Sequence, residues 1–257
     1  MMPTLNEVVE GVSVNGLVVC VFANRDYVPV LDVWRKFFKK STDCKCLVFA
    51  LDSETHEFCV QNGLDVFLAP FEGDWLSFMR HQMVLTRKIL DLGYTILVSD
   101  IDALWVKNPL DFTLSQDSDL VFSPGTIQPP KAHAEWGNVL CTGYFLIRPS
   151  DKVNSFLDCV QERMIGEGDQ PAINHELLER DMKWDAQDSI YKIEFRGKSI
   201  LQTISPRKGA AGGLTVTLLP NRYFQRITED EDAYVIHPTV PKKCVDKLKA
   251  FKDLGVI

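Results

Sequence analysis

The feature that most constrains this chain is a set of short, almost wholly apolar segments separated by longer amphipathic ones. Leu17–Ala23 (LVVCVFA), Cys46–Leu51 (CLVFAL) and Thr95–Ser99 (TILVS) are too short for helices and too continuously apolar for half-exposed strands. Strands of this kind are buried on both faces, the pattern of a parallel sheet covered by helices on either side. The intervening segments supply those helices. Asn24-Arg25-Asp26-Tyr27 breaks the first strand, and Pro29 suits the first turn of a helix to about Lys40, with Trp34, Phe37 and Phe38 turned inward. A short helix near Ser53–Asn62, a strand at Asp65–Leu68 and a long helix from Trp75 to Leu92, stopped by Gly93, complete a βαβαβ alternation.

The second half is less regular. Asp119–Ser123 and Cys141–Arg148 read as strands, and the Pro- and Gly-rich stretch 123–138 between them reads as a loop. Ser150 can cap a helix to about Ile165, and a second helix spans Gln170–Asp181. Further strands are predicted at Ile190–Phe195, Thr215–Leu219 and Ala233–Ile236, with a closing helix over Lys242–Asp253. Arg207–Gly213 (RKGAAGG) reads as the most flexible segment. With no internal repeat and no linker, residues 1–257 read as a single α/β domain with a mostly parallel, Rossmann-like central sheet flanked by helices.

Charge narrows the partners. Aspartate and glutamate outnumber lysine and arginine 35 to 28, a formal charge of -7, which argues against nucleic acid or anionic lipid as the main partner. The longest apolar run, Leu17–Ala23, falls far short of the roughly 18–20 residues that span a bilayer, so no membrane segment is expected in this chain. No basic stretch followed by an apolar one opens it, so no secretory signal is expected either. The 7 cysteines are odd in number and form no Cys-x-x-Cys, which suits a reduced, cytoplasmic chain. The soluble catalytic domain of a Golgi-type membrane-anchored enzyme is the alternative.

Asp100-Ile101-Asp102 carries the clearest chemistry. Two carboxylates at i and i+2, just past a buried strand, can converge on one divalent cation, and oxygen ligands suit Mg²⁺ or Mn²⁺. They fall at the carboxyl end of a strand, where open α/β sheets bind ligands. Asn24 and Asp26 offer short polar groups where the first strand ends. Arg80 and Arg87 share one face of the Trp75–Leu92 helix, either within reach of a phosphate or merely solvated. Gly143 permits a close backbone approach or marks a bulge, and Asp169 either binds a ligand or caps a helix.

The stretch Leu92–Pro109 (LGYTILVSDIDALWVKNP) resembles the signature block of nucleotide-diphospho-sugar transferases, closest to glycosyltransferase family 77 and more distantly the retaining, glycogenin-like family 8. Phe22–Tyr27, Thr142–Pro149, Asp169-Gln170 with Asn174, and His237 with Lys243 match further motifs of such enzymes in the same order. The resemblance implies a GT-A fold with a nucleotide-binding half (1–110) and a sugar- and acceptor-binding half (111–257). It implies a metal-dependent retaining transferase that moves a hexosyl or pentosyl group from a UDP-sugar donor to a hydroxyl of a glycan or glycoprotein acceptor. Asp100, Asp102 and His237 would hold Mn²⁺ or Mg²⁺. Ala23, Asn24, Asp26, Arg80, Asp100, Ile101, Asp102, Thr142, Gly143 and Lys243 would bind the donor, with Lys243, or its neighbour Lys242, on a phosphate. Asp169 and Gln170 would sit at the anomeric carbon.

Two features depart from the family-8 pattern: Val240 and Pro241 stand where a glycine is usual between His and Lys, and Cys141 replaces an asparagine. On the acceptor side, loops 123–138 and 182–189 offer Trp136, Trp184 and His133, either as stacking faces or as ordinary loop anchors. Asp169, Asp185 and Asp188 are the carboxylates available as an inverting base. The competing readings are a catalytically silent nucleotide-sugar-binding protein and a Mg²⁺ phosphohydrolase. The latter wants Asp-x-Asp after its first strand and a threonine where Leu104 stands.

Overall fold

Alternate residues of the Leu17–Ala23 segment enter opposite cores. Val18, Cys20 and Phe22 pack on one face of the sheet, and Leu17, Val19, Val21 and Ala23 on the other. A strand buried on both sides needs a helical layer on each, and the chain supplies them. In this computed structural model, which describes residues 3–186, 190–226, 231–241, 243–255 and 257, the N-terminal half runs α1 (Leu5–Val12), β1 (Leu17–Ala23), α2 (Val28–Ser41), β2 (Cys46–Ala50), α3 (Ser53–Gln61), β3 (Asp65–Leu68), α4 (Trp75–Asp91) and β4 (Thr95–Ser99). Strand β1 lies between β2 and β4, parallel to both, and β2 is parallel to β3. The parallel arrangement expected from the apolar runs therefore holds across this half.

The second half continues with β5 (Leu104–Trp105), α5 (Leu110–Leu114), β6 (Leu120–Pro124), α6 (Pro130–Trp136), β7 (Leu140–Ile147), α7 (Asp151–Arg163), α8 (Asp169–Glu179), β8 (Lys183–Trp184), β9 (Ile190–Phe195) and β10 (Lys198–Thr203). It ends with β11 (Arg207–Ala211), β12 (Leu214–Leu218), β13 (Phe224–Gln225), β14 (Val235–Ile236) and α9 (Cys244–Asp253). The main sheet has the order β3-β2-β1-β4-β7-β6-β12-β11-β8. Strand β7 is antiparallel to both neighbours, so the whole is a large mixed sheet. One core packs α4, α7 and α8 on one face; the other buries Trp34, Phe38 and Trp105 beneath α2 and α9. All seven cysteines are free thiols.

Three readings of the second half need correction. Within 123–138 the chain forms α6, because Pro130 starts the helix where a missing N–H costs nothing and Gly137, at φ 72°, ends it. Arg207–Gly213 is no floppy loop: β11 and β12 form a hairpin whose turn residues, Gly212 and Gly213, both take positive φ. The aromatic faces assigned to an acceptor are packing residues. Trp136 stacks edge-on with Trp184, Arg207 lies 4.7 Å above the Trp184 ring, and the His133 ring bonds the Ser199 carbonyl. Lys242 and Asp188 lie outside the described residues, and the closing helix begins at Cys244.

Candidate active site

The Asp100-Ile101-Asp102 turn is held from below. The Trp34 indole donates to the Ala103 carbonyl (3.1 Å), and the Trp105 indole donates to Ser99 Oγ (3.2 Å). Both indoles are buried, and each N–H finds a partner in the turn it supports, so packing and hydrogen bonding point the same way. The Asp100 N–H donates to the Gly143 carbonyl (2.7 Å), which continues the β4–β7 ladder one residue past Ser99.

His237 arrives by strand pairing. Strand β14 runs antiparallel to β5, with Ile236 opposite Leu104 and Val235 opposite Trp105. Continuing that register sets His237 against Ala103, immediately beside Asp102. The His237 backbone is fixed by its N–H donating to the Gln225 carbonyl (2.8 Å). His237 Nε2 lies 3.7 Å from Asp100 Oδ2 and 3.5 Å from Asp102 Oδ1.

One oxygen from each aspartate and one imidazole nitrogen all fall within 4.8 Å of one another. Two carboxylates and an imidazole at that separation fit a single divalent cation bound to oxygen and nitrogen. Gly143 forms the back wall. A Cβ built there would meet the imidazole and would lie 2.7 Å from Asp100 Oδ2, so only glycine leaves the ligands room.

Electrostatics sort the ligands. Burial pushes His237 down to about 4, aided by the Arg226 guanidinium, so the imidazole is neutral, the form that binds metal. Arg226 Nη1 lies 2.6 Å from His237 Nδ1 and 3.1 Å from Cys141 Sγ. Desolvation in the cleft and the adjacent Asp102 charge raise Asp100 to about 7. Burial opposes ionisation of Asp102, but His237 and the paired Lys247 ammonium hold it well below the usual carboxylate range.

The aspartates open onto a cleft of about 530 Å³ that Ala23, Asn24, Ile101 and Lys247 also line. Asn24 Oδ1 is buried there without a partner among the described residues, an acceptor left for a ligand donor. Phe71, Trp75 and Phe78 add aromatic faces to the cleft lining.

Several predicted residues sit elsewhere. Asp26 is exposed beside Arg25 and does not line the cleft, whereas its neighbours Arg25 and Tyr27 do. Thr142 is buried in β7. The Arg80 guanidinium binds the Met164 and Ile165 carbonyls beyond α7 and Ser77 Oγ, so it serves as a capping group. Arg87 pairs with Asp91 and Asp158 on the surface. Lys243 is exposed at the start of α9, and the lysine that reaches the aspartates is Lys247, one turn further on. Asp169, at the first turn of α8, is close enough for its charge to raise Asp100. Gln170 donates to the Gln128 carbonyl (2.7 Å), and Asn174 clamps the backbone N–H and C=O of Leu140.

Residues 43–251 match the nucleotide-diphospho-sugar transferase family. This chain belongs to that family. Among curated relatives, the beta-arabinofuranosyltransferase RAY1 of Arabidopsis thaliana is 36% identical over 109 residues, 37% of this chain and 20% of RAY1. Arabinosyltransferase RRA1 of the same plant is 26% identical over 209 residues, 68% of this chain and 51% of RRA1. The chain thus spans about half the length, or less, of these relatives, and their names agree with the family-77 resemblance. Among solved structures, the galactosyltransferase LgtC, crystallised with donor and acceptor sugar analogues, superposes with a TM-score of 0.52 at 16% identity, covering 93% of this chain and 95% of LgtC. That likeness establishes the GT-A fold. A phosphohydrolase reading loses its basis with the family assignment. No helix among the described residues is long and apolar enough to cross a membrane.

Proposed function

We propose that the protein is a metal-dependent, retaining glycosyltransferase that moves a sugar from a UDP-sugar to a hydroxyl of a glycan or glycoprotein. The observation that carries this reading is the convergence of Asp100, Asp102 and His237 at the carboxyl end of β4, where the two aspartates line a cleft, in a nucleotide-diphospho-sugar transferase. The names of RAY1 and RRA1 favour a pentosyl donor, specifically an arabinosyl one.

A divalent cation held by the three side chains would supply Lewis-acid neutralisation of the diphosphate leaving group. Asn24, with its unpartnered carbonyl oxygen at the end of β1, is suited to an N–H of the base. Lys247 brings a further positive charge to the diphosphate side. Asp169 reaches the site from α8 and would sit under the anomeric carbon, where its carboxylate favours developing positive charge.

Support for retention comes from the family-8 resemblance. Of the carboxylates weighed above as an inverting base, Asp185 stands beside β8, the far edge strand of the sheet, and Asp169 lies near Asp100. In a same-face reaction no protein base is needed. The acceptor hydroxyl forms the new bond to the anomeric carbon as the bond to the diphosphate breaks, and its proton passes to a diphosphate oxygen.

The test is a panel of UDP-sugars assayed for hydrolysis with Mn²⁺ and with EDTA. Metal-dependent release of UDP from one donor, with UDP-arabinose foremost, is expected. Metal-dependent UDP binding with no turnover of any donor would instead establish a silent binding protein.

A further inference from the structure

Lys247 reaches the aspartate pair from outside the ligand set. Its ammonium is ion-paired with Asp102 Oδ2, and the two side chains are only 14% and 6% exposed. The oxygen it occupies belongs to the carboxylate that a cation would use. On the other flank Arg226 covers His237. Two carboxylates therefore face two protein cations, Lys247 and Arg226, on either side of the imidazole, so the chain supplies its own counter-charges at the site. Helix α9 is anchored through buried Phe251 and half-buried Leu248 in the core beneath the sheet. The lysine stem is thus the part free to swing, while the helix stays.

This balance has a price for a metal ion that arrives alone. It must displace an ammonium from a partly desolvated carboxylate and leave that charge beside its own in the cleft. A diphosphate arriving with the ion restores the balance and gives the released ammonium new oxygens within the same cleft, which Lys247 lines together with Asn24 and Asp102. We propose that Lys247 is a built-in counter-ion that holds Asp102 while the donor is absent and yields it when metal and nucleoside diphosphate bind together. Lys247 thereby makes the binding of the two ligands mutually dependent. The inference rests on the metal-dependent reading above and adds the residue that couples the two ligands.

The experiment is Mn²⁺ titration by electron paramagnetic resonance, with and without UDP, on the wild type, Lys247→Met and Lys247→Arg, with circular dichroism to confirm folding. The wild type should bind Mn²⁺ weakly alone and at least roughly tenfold more tightly with UDP, within the usual range of coupling between ligands. In Lys247→Met, which keeps the apolar stem, Mn²⁺ alone should bind roughly tenfold more tightly than in the wild type, and the gain from UDP should shrink. Lys247→Arg should restore the wild-type pattern, and Lys247→Gln replaces the methionine variant if that one fails to fold. Wild-type Mn²⁺ affinity and an undiminished UDP effect in folded Lys247→Met would overturn the counter-ion role and leave the metal site intact. A wild type that binds no Mn²⁺ even with UDP would overturn the metal reading itself.

Discussion

Gly143 and His237 occupy one another's space: a single methyl on Gly143 would fall against the imidazole ring and 2.7 Å from Asp100 Oδ2. The glycine that resembled a sugar-strand residue in the sequence is the wall against which the ligand cluster rests. Gly143→Ala should therefore displace the imidazole and reduce Mn²⁺-dependent UDP binding by about 10–100-fold, the usual cost of disturbing the support of a metal site. Calorimetry checks this, and wild-type affinity in the alanine variant would refute the packing argument.

Asp102→Ala and His237→Ala should each reduce donor turnover by about a hundredfold while the fold survives. Near-normal turnover in Asp102→Ala would remove the site assignment as a whole, whereas tolerance of His237→Ala would remove only the third ligand.

Metal affinity should depend on pH through Asp100. Its carboxyl is raised to about 7, so below that pH a cation must displace a proton. Mn²⁺ affinity should fall about tenfold per unit as pH drops below 7 and level off above pH 8. His237, lowered to about 4, stays neutral throughout this window. A Mn²⁺ titration series from pH 5.5 to 8.5, values chosen to span about 1.5 units either side of 7, tests the slope.

A second acid-sensitive group lies far from the cleft. Glu176 accepts from Arg163 and Arg180 (2.7 Å each) and ties α7 to α8. Burial works against its ionisation, yet the two arginines keep its pKa below the ordinary glutamate value of 4.5. Its stabilising contribution is thus complete above pH 4.5 and fades as pH falls below it. Glu176→Gln should cost about 1–3 kcal/mol at neutral pH, measured by urea denaturation, and the difference from the wild type should vanish in acid.

Stereochemistry separates the mechanism classes. The glycoside should carry the donor's own anomeric configuration, α from an α-linked donor and β from a β-linked one, read from the anomeric proton by NMR. Asp169→Asn should depress transfer strongly while UDP and Mn²⁺ binding persist. A product whose anomeric configuration is opposite to the donor's would overturn both retention and the position assigned to Asp169 under the anomeric carbon.

What the sequence made legible was local. Leu17–Ala23 and Thr95–Ser99 form strands over the predicted residues because an apolar run bounded by turn residues has few other uses. The Asp100–Asp102 pair and His237 do converge, which motif order alone suggested. Arg226 was invisible, because only the pairing of β13 with β14 sets it beside His237. Lys247 was hidden by its neighbours: several lysines follow His237, and which of them turns inward depends on how α9 docks beneath the sheet. Arg80 misled because a helical arginine facing a cleft and one capping a neighbouring helix look alike in sequence.

The short pairing of β14 with β5 gives the molecule an order of assembly. Asp102 and His237 are separated by more than half of the chain, and a contact between such distant residues pays a large closure entropy before it returns anything. During synthesis the aspartate turn is made first, and its third ligand emerges only after a further stretch longer than half of this sequence. A cation shared by Asp100, Asp102 and His237 would then act as a late cross-link between the two ends of the fold, and the protein should melt at a higher temperature with Mn²⁺ and UDP than without them.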